Sequence, residues 1–507
     1  MTRIFTLGSS TALASVLLAA PAFAELTAAQ VWADQKAYLA GFGYTVSASE
    51  TQSGDTLEIS DYTVVVPVPE EGVEVTMMLP DMSLTTQSDG SVAIGLGRDL
   101  PIVMDVTAEG EDPVRIELGV TNSKFDIVAS GSPNDMTYTY DADDIAIALE
   151  SLTVEGANAV PGIIDFKLSM SQFDGVSAVQ VGDLRNMQQS LSLGDMSYSV
   201  KIDEPGSEEG GTFAGNVAGI SFEGDMRLPL EIDPTDPAAF FGGGFLVDGT
   251  YSAGPGNTNF NFTADGETLV GALSSTSSTL SVSIDDGVVG YGLTGTDNTV
   301  ALQGTDLPFP VEFAMEETRF EIGVPLAKSD EEQGFGLGVT FGKFTMGDLL
   351  WSIFDPAGQL PRDPATIDLD LVGGVKLLVD LFDEDAMQAV ERGEMLPGEL
   401  QSLTLQNLLI EAVGAKLTGS GDFTFDNTDM QTYDGIPKPI GAVDLQLAGA
   451  NALIDTLINM GLLPQEQAMG ARMMMSMFAV PAGDDVLKSR IEMNEQGQIL
   501  ANGQRIR

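Results

Sequence analysis

Acid-base or metal chemistry in this chain would rest mainly on carboxylates: its 507 residues include 75 Asp and Glu but no His and no Cys. Histidine titrates near neutrality, and cysteine is the thiolate nucleophile and soft metal ligand, so losing both removes most routes to a catalytic site. Two suitably spaced acids suffice to hydrolyse a glycoside. The clusters Asp141, Asp143, Asp144 and Asp383, Glu384, Asp385 offer oxygen ligands for calcium. Neither has the alternating acids and distal Glu of a calcium loop, so both are read first as solvated acidic turns. Gly290-Tyr291-Gly292-Leu293-Thr294-Gly295 matches a dinucleotide fingerprint, but no helix follows to aim its N-terminus at a pyrophosphate. Gly336 to Lys343 has the wrong glycine spacing for a phosphate loop, and Phe344 stands where a metal-binding hydroxyl is needed, so it reads as a glycine-rich strand. No catalytic residue, cofactor or metal ligand is assigned. The chain is read as a non-enzyme, with a carboxylate hydrolase such as a glycosidase as the alternative.

The unusual apolar feature is a methionine stripe, Met469, Met473 and Met477 at i, i+4 and i+8, flanked by Met474, Met475 and Phe478. Flexible thioethers suit irregular apolar contacts. Such a stripe is either helix core or, together with Leu453 and Leu457, a surface for a hydrophobic small molecule or an envelope protein.

The dominant period along the chain is two, which marks strands with one apolar face. Leu280, Val282 and Ile284 alternate with polar residues, Asp286-Gly287 turns, and Val289, Tyr291 and Leu293 alternate on the return. Asp89-Gly90, Asp174-Gly175, Asp248-Gly249, Asp265-Gly266, Asp434-Gly435 and Asn502-Gly503 read as further turns. The predicted fold is mainly β: large antiparallel sheets, a few short helices and a C-terminal helical hairpin near 450–478. Helices are expected at Ala28 to Leu39, Met346 to Phe354, Ala450 to Met460 and from Pro464 to about Phe478, with Gly461 as a stop. The Pro/Gly-rich stretch from Asp233-Pro234 to Gly244 suggests two β-rich halves, 25–235 and 245–507.

Residues 1–24 have the order of a cleavable export signal: Arg3, an apolar run from Ala12 to Ala20, then Ala22-Phe23-Ala24. No later stretch reaches 18 uncharged apolar residues, so no integral membrane span is expected after cleavage. The net charge of −53 repels nucleic acid and anionic lipid headgroups. Hydrophobic residues still make up 43% of the chain, enough for a large buried fraction. An outer-membrane barrel is a further alternative. It is weakened by an end reading Gln504-Arg505-Ile506-Arg507 and by only 7% aromatics for two interfacial girdles.

Two stretches resemble a known family. Trp351 through Thr366, with Asp355-Pro356 and Leu360-Pro361-Arg362-Asp363-Pro364, is similar to the central segment of the alphaproteobacterial family called domain of unknown function 2125. Gly461-Leu462-Leu463-Pro464 through Gly470-Ala471-Arg472, on to Ala501-Asn502-Gly503-Gln504-Arg505, resembles that family's end. The resemblance implies a periplasmic protein of a Gram-negative bacterium, of uncharacterised role, and brings no catalytic residues with it. A remoter similarity is to the AsmA-like envelope proteins associated with lipid movement.

Export predicts that the mature protein begins at Glu25 and is recovered from the periplasmic fraction without detergent. N-terminal sequencing of that fraction checks this, and a chain retaining Met1 that needs detergent would refute it.

Overall fold

A computed structural model of the protein describes residues 26–507 apart from 69–71, 109, 155–156, 159–162, 204–205, 233–243 and 286. The expected export signal 1–24, the expected mature start at Glu25, the glycine-rich break at 233–243 and Asp286 lie outside the described residues. Among the described residues, 28 strands join into one antiparallel sheet. Five helices accompany it: α1 (Ala28–Gly41), α2 (Asp348–Phe354), α3 (Glu384–Glu391), α4 (Ala450–Asn459) and α5 (Gln465–Phe478). The sheet begins at strand Thr45–Ser53 and ends at Gln504–Arg505, and among the described residues no pairing joins these two ends, so the ladder is open and not a closed barrel. It runs from strand Gly210–Pro229 directly onto Leu246–Ala253 and Gly256–Ala264.

The sheet is folded along a crease. In strand Ile164–Val181 the residue Gln172 has φ 52°, in Gly210–Pro229 Gly219 has φ 60°, in Val288–Gly304 Asp297 has φ 48°, and in Gln333–Met346 Lys343 has φ 51°. Asp61 (φ 52°) takes the same position in the second strand, Thr56–Val68. Each left-handed residue interrupts the ladder and bends its strand, as at a bulge. Strands between them are split at the same level, for example at Gly254-Pro255, where Ala218 N–H donates to the Pro255 carbonyl and its own carbonyl accepts from Gly254.

The crease has a sequence counterpart, a slip in alternation. In the strand Leu184–Asp203 the apolar positions run Met187, Leu191, Leu193, then shift phase at Gly194 to Met196, Tyr198, Val200. Strand Val288–Gly304 does the same, with Val289, Tyr291 and Leu293 before Asp297 and Val300 and Leu302 after it. Side chains in a strand alternate faces, so one extra residue at the bend keeps the apolar set of both halves on one side. The result is a trough with two apolar inner walls and a polar exterior. With neighbouring strands about 4.8 Å apart, the creased part from Asp61 to Lys343 runs on the order of 60 Å.

Helix α1 lies in one end of the trough. Thr27 caps it: its Oγ1 accepts from Gln30 N–H, while Gln30 Oε1 accepts from the Thr27 N–H at 3.0 Å. Val31 and Trp32 are buried among Ile59, Leu84, Val92 and Met136, and Trp32 meets Tyr62 edge-on at 5.2 Å between ring centroids. Tyr38 and Phe42 extend the helix onto Val179, Met187, Leu228 and Phe245 of the next stretch of wall. Asp34 of α1 accepts two bonds from Arg185 of the wall, at 3.0 and 2.5 Å, and the Arg185 guanidinium lies over the Tyr38 ring.

The antiparallel β architecture and the four expected helices stand. The hairpin around Gly287 forms in the expected register, pairing Leu280 with Leu293, Val282 with Tyr291 and Ile284 with Val289. Two expected turns are corrected: Asp174-Gly175 and Asp248-Gly249 lie inside strands. Their glycines seat neighbours on the inner wall instead. A Cβ at Gly175 would come within 2.5 Å of Leu191, and Phe222 lies over Gly249. Asp383, Glu384 and Asp385, expected in a solvated acidic turn, instead begin helix α3: Asp383 is its N-cap, accepting from Ala386 N–H at 3.0 Å.

Two stability predictions follow from the crease and from α1. Nothing crowds a Cβ at Gly219, so Gly219→Val should cost about 1 to 2 kcal/mol through its left-handed backbone alone. An unchanged denaturation midpoint would refute that origin. Asp34→Ala leaves a buried guanidinium unpaired and should cost about 3 to 5 kcal/mol. A loss below about 1 kcal/mol in chemical denaturation would mean that the pair does not fasten α1.

Candidate functional site

Beyond α1 the trough loses its cover. Leu84, Val92 and Met136 beneath the helix are fully buried, whereas Phe213, Phe262, Leu293, Phe320, Ile322 and Phe341 further along are 37 to 45% exposed. These six do not scatter over the surface. Cross-strand pairing carries one continuous row through Leu280, Leu293, Phe320, Val339, Leu369 and Leu408. On the facing wall a row runs through Val200, Phe213, Phe260, Gly271, Leu302 and Val311. No charge interrupts either row. An apolar surface this continuous exceeds what a lone soluble chain ordinarily leaves to water.

Charges collect on the outside of the same strands. Arg319, next to Phe320 and so facing the other way, donates to Thr340 at 3.1 Å, Glu321 at 3.1 Å and Asp370 at 2.6 Å. Asp141 pairs with Lys124, and Asp144 accepts from Ser123 Oγ at 3.1 Å, so two acids of the first cluster already have protein partners. The two glycine-rich motifs both lie within strands, Val288–Gly304 and Gln333–Met346.

The facing wall ends at Met346, and the segment resembling the known family takes over. Asp355 is completely buried and its carboxylate accepts from Gln359 N–H at 2.8 Å and Leu360 N–H at 2.9 Å. The Gln359 donor above all holds its carboxyl below the ordinary aspartate value. Arg362 lies over the Trp351 ring and donates to Asp348 at 2.7 Å. These contacts tie α2 to the chain that follows it. They leave Leu349, Ile353 and Phe354 of α2 exposed.

The hairpin of α4 and α5 closes on itself through polar contacts. Asp485 accepts from the Asn451 and Ala452 N–H groups at 3.0 Å each, capping α4, and Arg472 of α5 donates to Asn451 and Asp455. Leu453 and Leu457 are half-buried on α4. Met469, Met473 and Met477 point to solvent, Met473 being 71% exposed, which corrects the reading of the stripe as core. Helical spacing singled out the methionines without fixing which way they face, and the larger apolar face was missed. Its signal is present as alternation; what alternation does not encode is that this face stays exposed among the described residues.

Among the described residues no helix is long and apolar enough to cross a membrane. No curated protein and no solved structure matches the chain. Residues 259–494, which include Trp351 to Thr366 and Gly461 to Arg472, match the family model described as uncharacterized protein conserved in bacteria, DUF2125, and so support that family.

Proposed function

We propose that this protein is an exported, non-catalytic component of the bacterial envelope that carries the aliphatic chains of a lipid or similar amphiphile in its creased trough. The observation that carries this reading is the uncovered, uncharged inner face running on from the part that α1 covers. Its apolar rows run across the strands and hence along the trough. A long flexible chain could bury methylene after methylene against them, each removed from water at about 0.8 kcal/mol. Such a chain asks nothing of the backbone, whose donors and acceptors are already used in the ladder. The acidic exterior keeps a carrier with so much apolar surface soluble.

Export to the periplasm of a Gram-negative bacterium is supported by the leader pattern at residues 1–24. The remoter resemblance of the sequence to AsmA-like envelope proteins supports a role in lipid handling, and the resemblance of Trp351 to Thr366 to DUF2125 supports an alphaproteobacterial range for the family. Met469, Met473 and Met477 would then offer adaptable apolar contact to the ligand or to an envelope partner.

The neutral dye N-phenyl-1-naphthylamine should bind the mature protein with a rise in fluorescence. The double variant Leu293→Asp, Phe320→Asp should weaken binding at least about tenfold by placing charge in the trough. Both positions are solvent-accessible, so stability should move by no more than about 1 kcal/mol. Dye binding unaffected by the double variant would overturn the trough as the site. Met473→Ala, at an exposed position, should change stability by no more than about 0.5 kcal/mol in a thermal melt.

A further inference from the structure

The covered end of the trough differs in chemistry from the open part. One cross-strand row passes through Val282, Tyr291, Ile322, Leu337, Leu371 and Leu405 in the open section. The same row, followed back through Gly249 and Gly224, arrives at Gln189, Ser177 and Tyr138 under α1. A row that is otherwise almost wholly apolar thus becomes polar where the helix covers it.

These residues line a cavity of about 420 Å³ between α1 and the wall. Its apolar side includes Ile94, Ile127 and Val179, and Arg185 and Asp34 also border it. That volume lies within the range of small-molecule sites, as does the mixture of apolar walls with a few convergent polar groups. Arg185 is only 7% exposed, and its Nε–H is buried without an acceptor. Its positive charge is already matched by Asp34. The other polar groups of the lining, Gln189, Ser177 and Tyr138, whose hydroxyl lies 3.6 Å from Met136 Sδ, are neutral, so the cavity offers hydrogen-bonding groups with no net charge and a further buried anion would be unbalanced.

We infer that this cavity is the seat for the neutral, oxygen-bearing head of a single-chain amphiphile, an acylglycerol by chemical class, whose chain lies outward along the trough. The inference rests on the trough reading above and adds direction and head-group selectivity to it. The ligand enters from the open section, head first, and stops beneath α1. Selectivity arises because a site with buried hydrogen-bonding groups rejects an analogue that cannot pair with them more strongly than an apolar pocket rejects a mere change of size.

The test is displacement of N-phenyl-1-naphthylamine from the mature protein by 1-palmitoylglycerol, palmitate and hexadecane. The wild type should bind 1-palmitoylglycerol at least about tenfold more tightly than either competitor. The double variant Gln189→Leu, Tyr138→Phe keeps the volume and the ion pair intact, and should reduce 1-palmitoylglycerol to the level of hexadecane while leaving hexadecane unchanged. Equal affinities in the wild type, tighter binding of palmitate, or a preference that survives the double variant would each overturn the head-group seat while the trough reading stands. Failure of the dye and all three competitors to bind would overturn the trough reading and this inference with it.

Discussion

The structure depends on where its apolar residues change phase. A long antiparallel strand that kept strict alternation could still bend, but an inserted residue at the bend would turn half of its apolar side chains outward. Here each insertion coincides with a slip in the pattern, at Gln172, Gly194, Gly219, Asp297 and Lys343. Bend and slip cancel, and both walls keep one apolar face. Four of these residues adopt left-handed backbone, and only Gly219 does so without a steric cost to a side chain. The strain at Gln172, Asp297 and Lys343 is carried by the ladder on either side. Polar partners also help: Asp297 accepts from Thr276 at 2.9 Å and Lys343 pairs with Glu316 at 2.6 Å.

A creased sheet has an inner side that must be filled, covered or left for a ligand. Helix α1 covers one end, fixed by Trp32 in the core and by Asp34 against Arg185. Among the described residues there is no second helix of that kind for the remainder: α2 and α5 each leave apolar side chains in solvent. The open section is thus the natural consequence of a sheet much longer than its cover. Its neutrality contrasts with the charge on the outward side of the same strands, where Arg319 pairs with Glu321 and Asp370.

Much of this was legible in the sequence. Period-two alternation gave the sheet, the Gly287 hairpin gave a register, and Gly461 with Pro464 gave the helical hairpin, because each rests on local backbone preference. Asp174-Gly175 and Asp248-Gly249 misled because glycine serves both turns and close packing, and only the neighbours Leu191 and Phe222 decide which. The phase slips are present in the residues of each strand, but only the pairing of strand with strand aligns them into one crease. Whether a given apolar face is buried depends on what lies opposite, which alternation within one strand does not encode. The methionine stripe failed for the same reason: helical spacing fixes a shared face, not its neighbour.

The central claim is that the inner face of these strands, and not the outer, holds acyl chains. It is tested most directly by placing a photo-crosslinking amino acid singly at Phe320 and Ile322, which face inward, and at Arg319 and Glu321, which face outward, in cells producing the full-length chain. Mass spectrometry of the irradiated products should find lipid adducts at positions 320 and 322 and none at 319 and 321. Adducts at all four positions, or at none, would contradict the account.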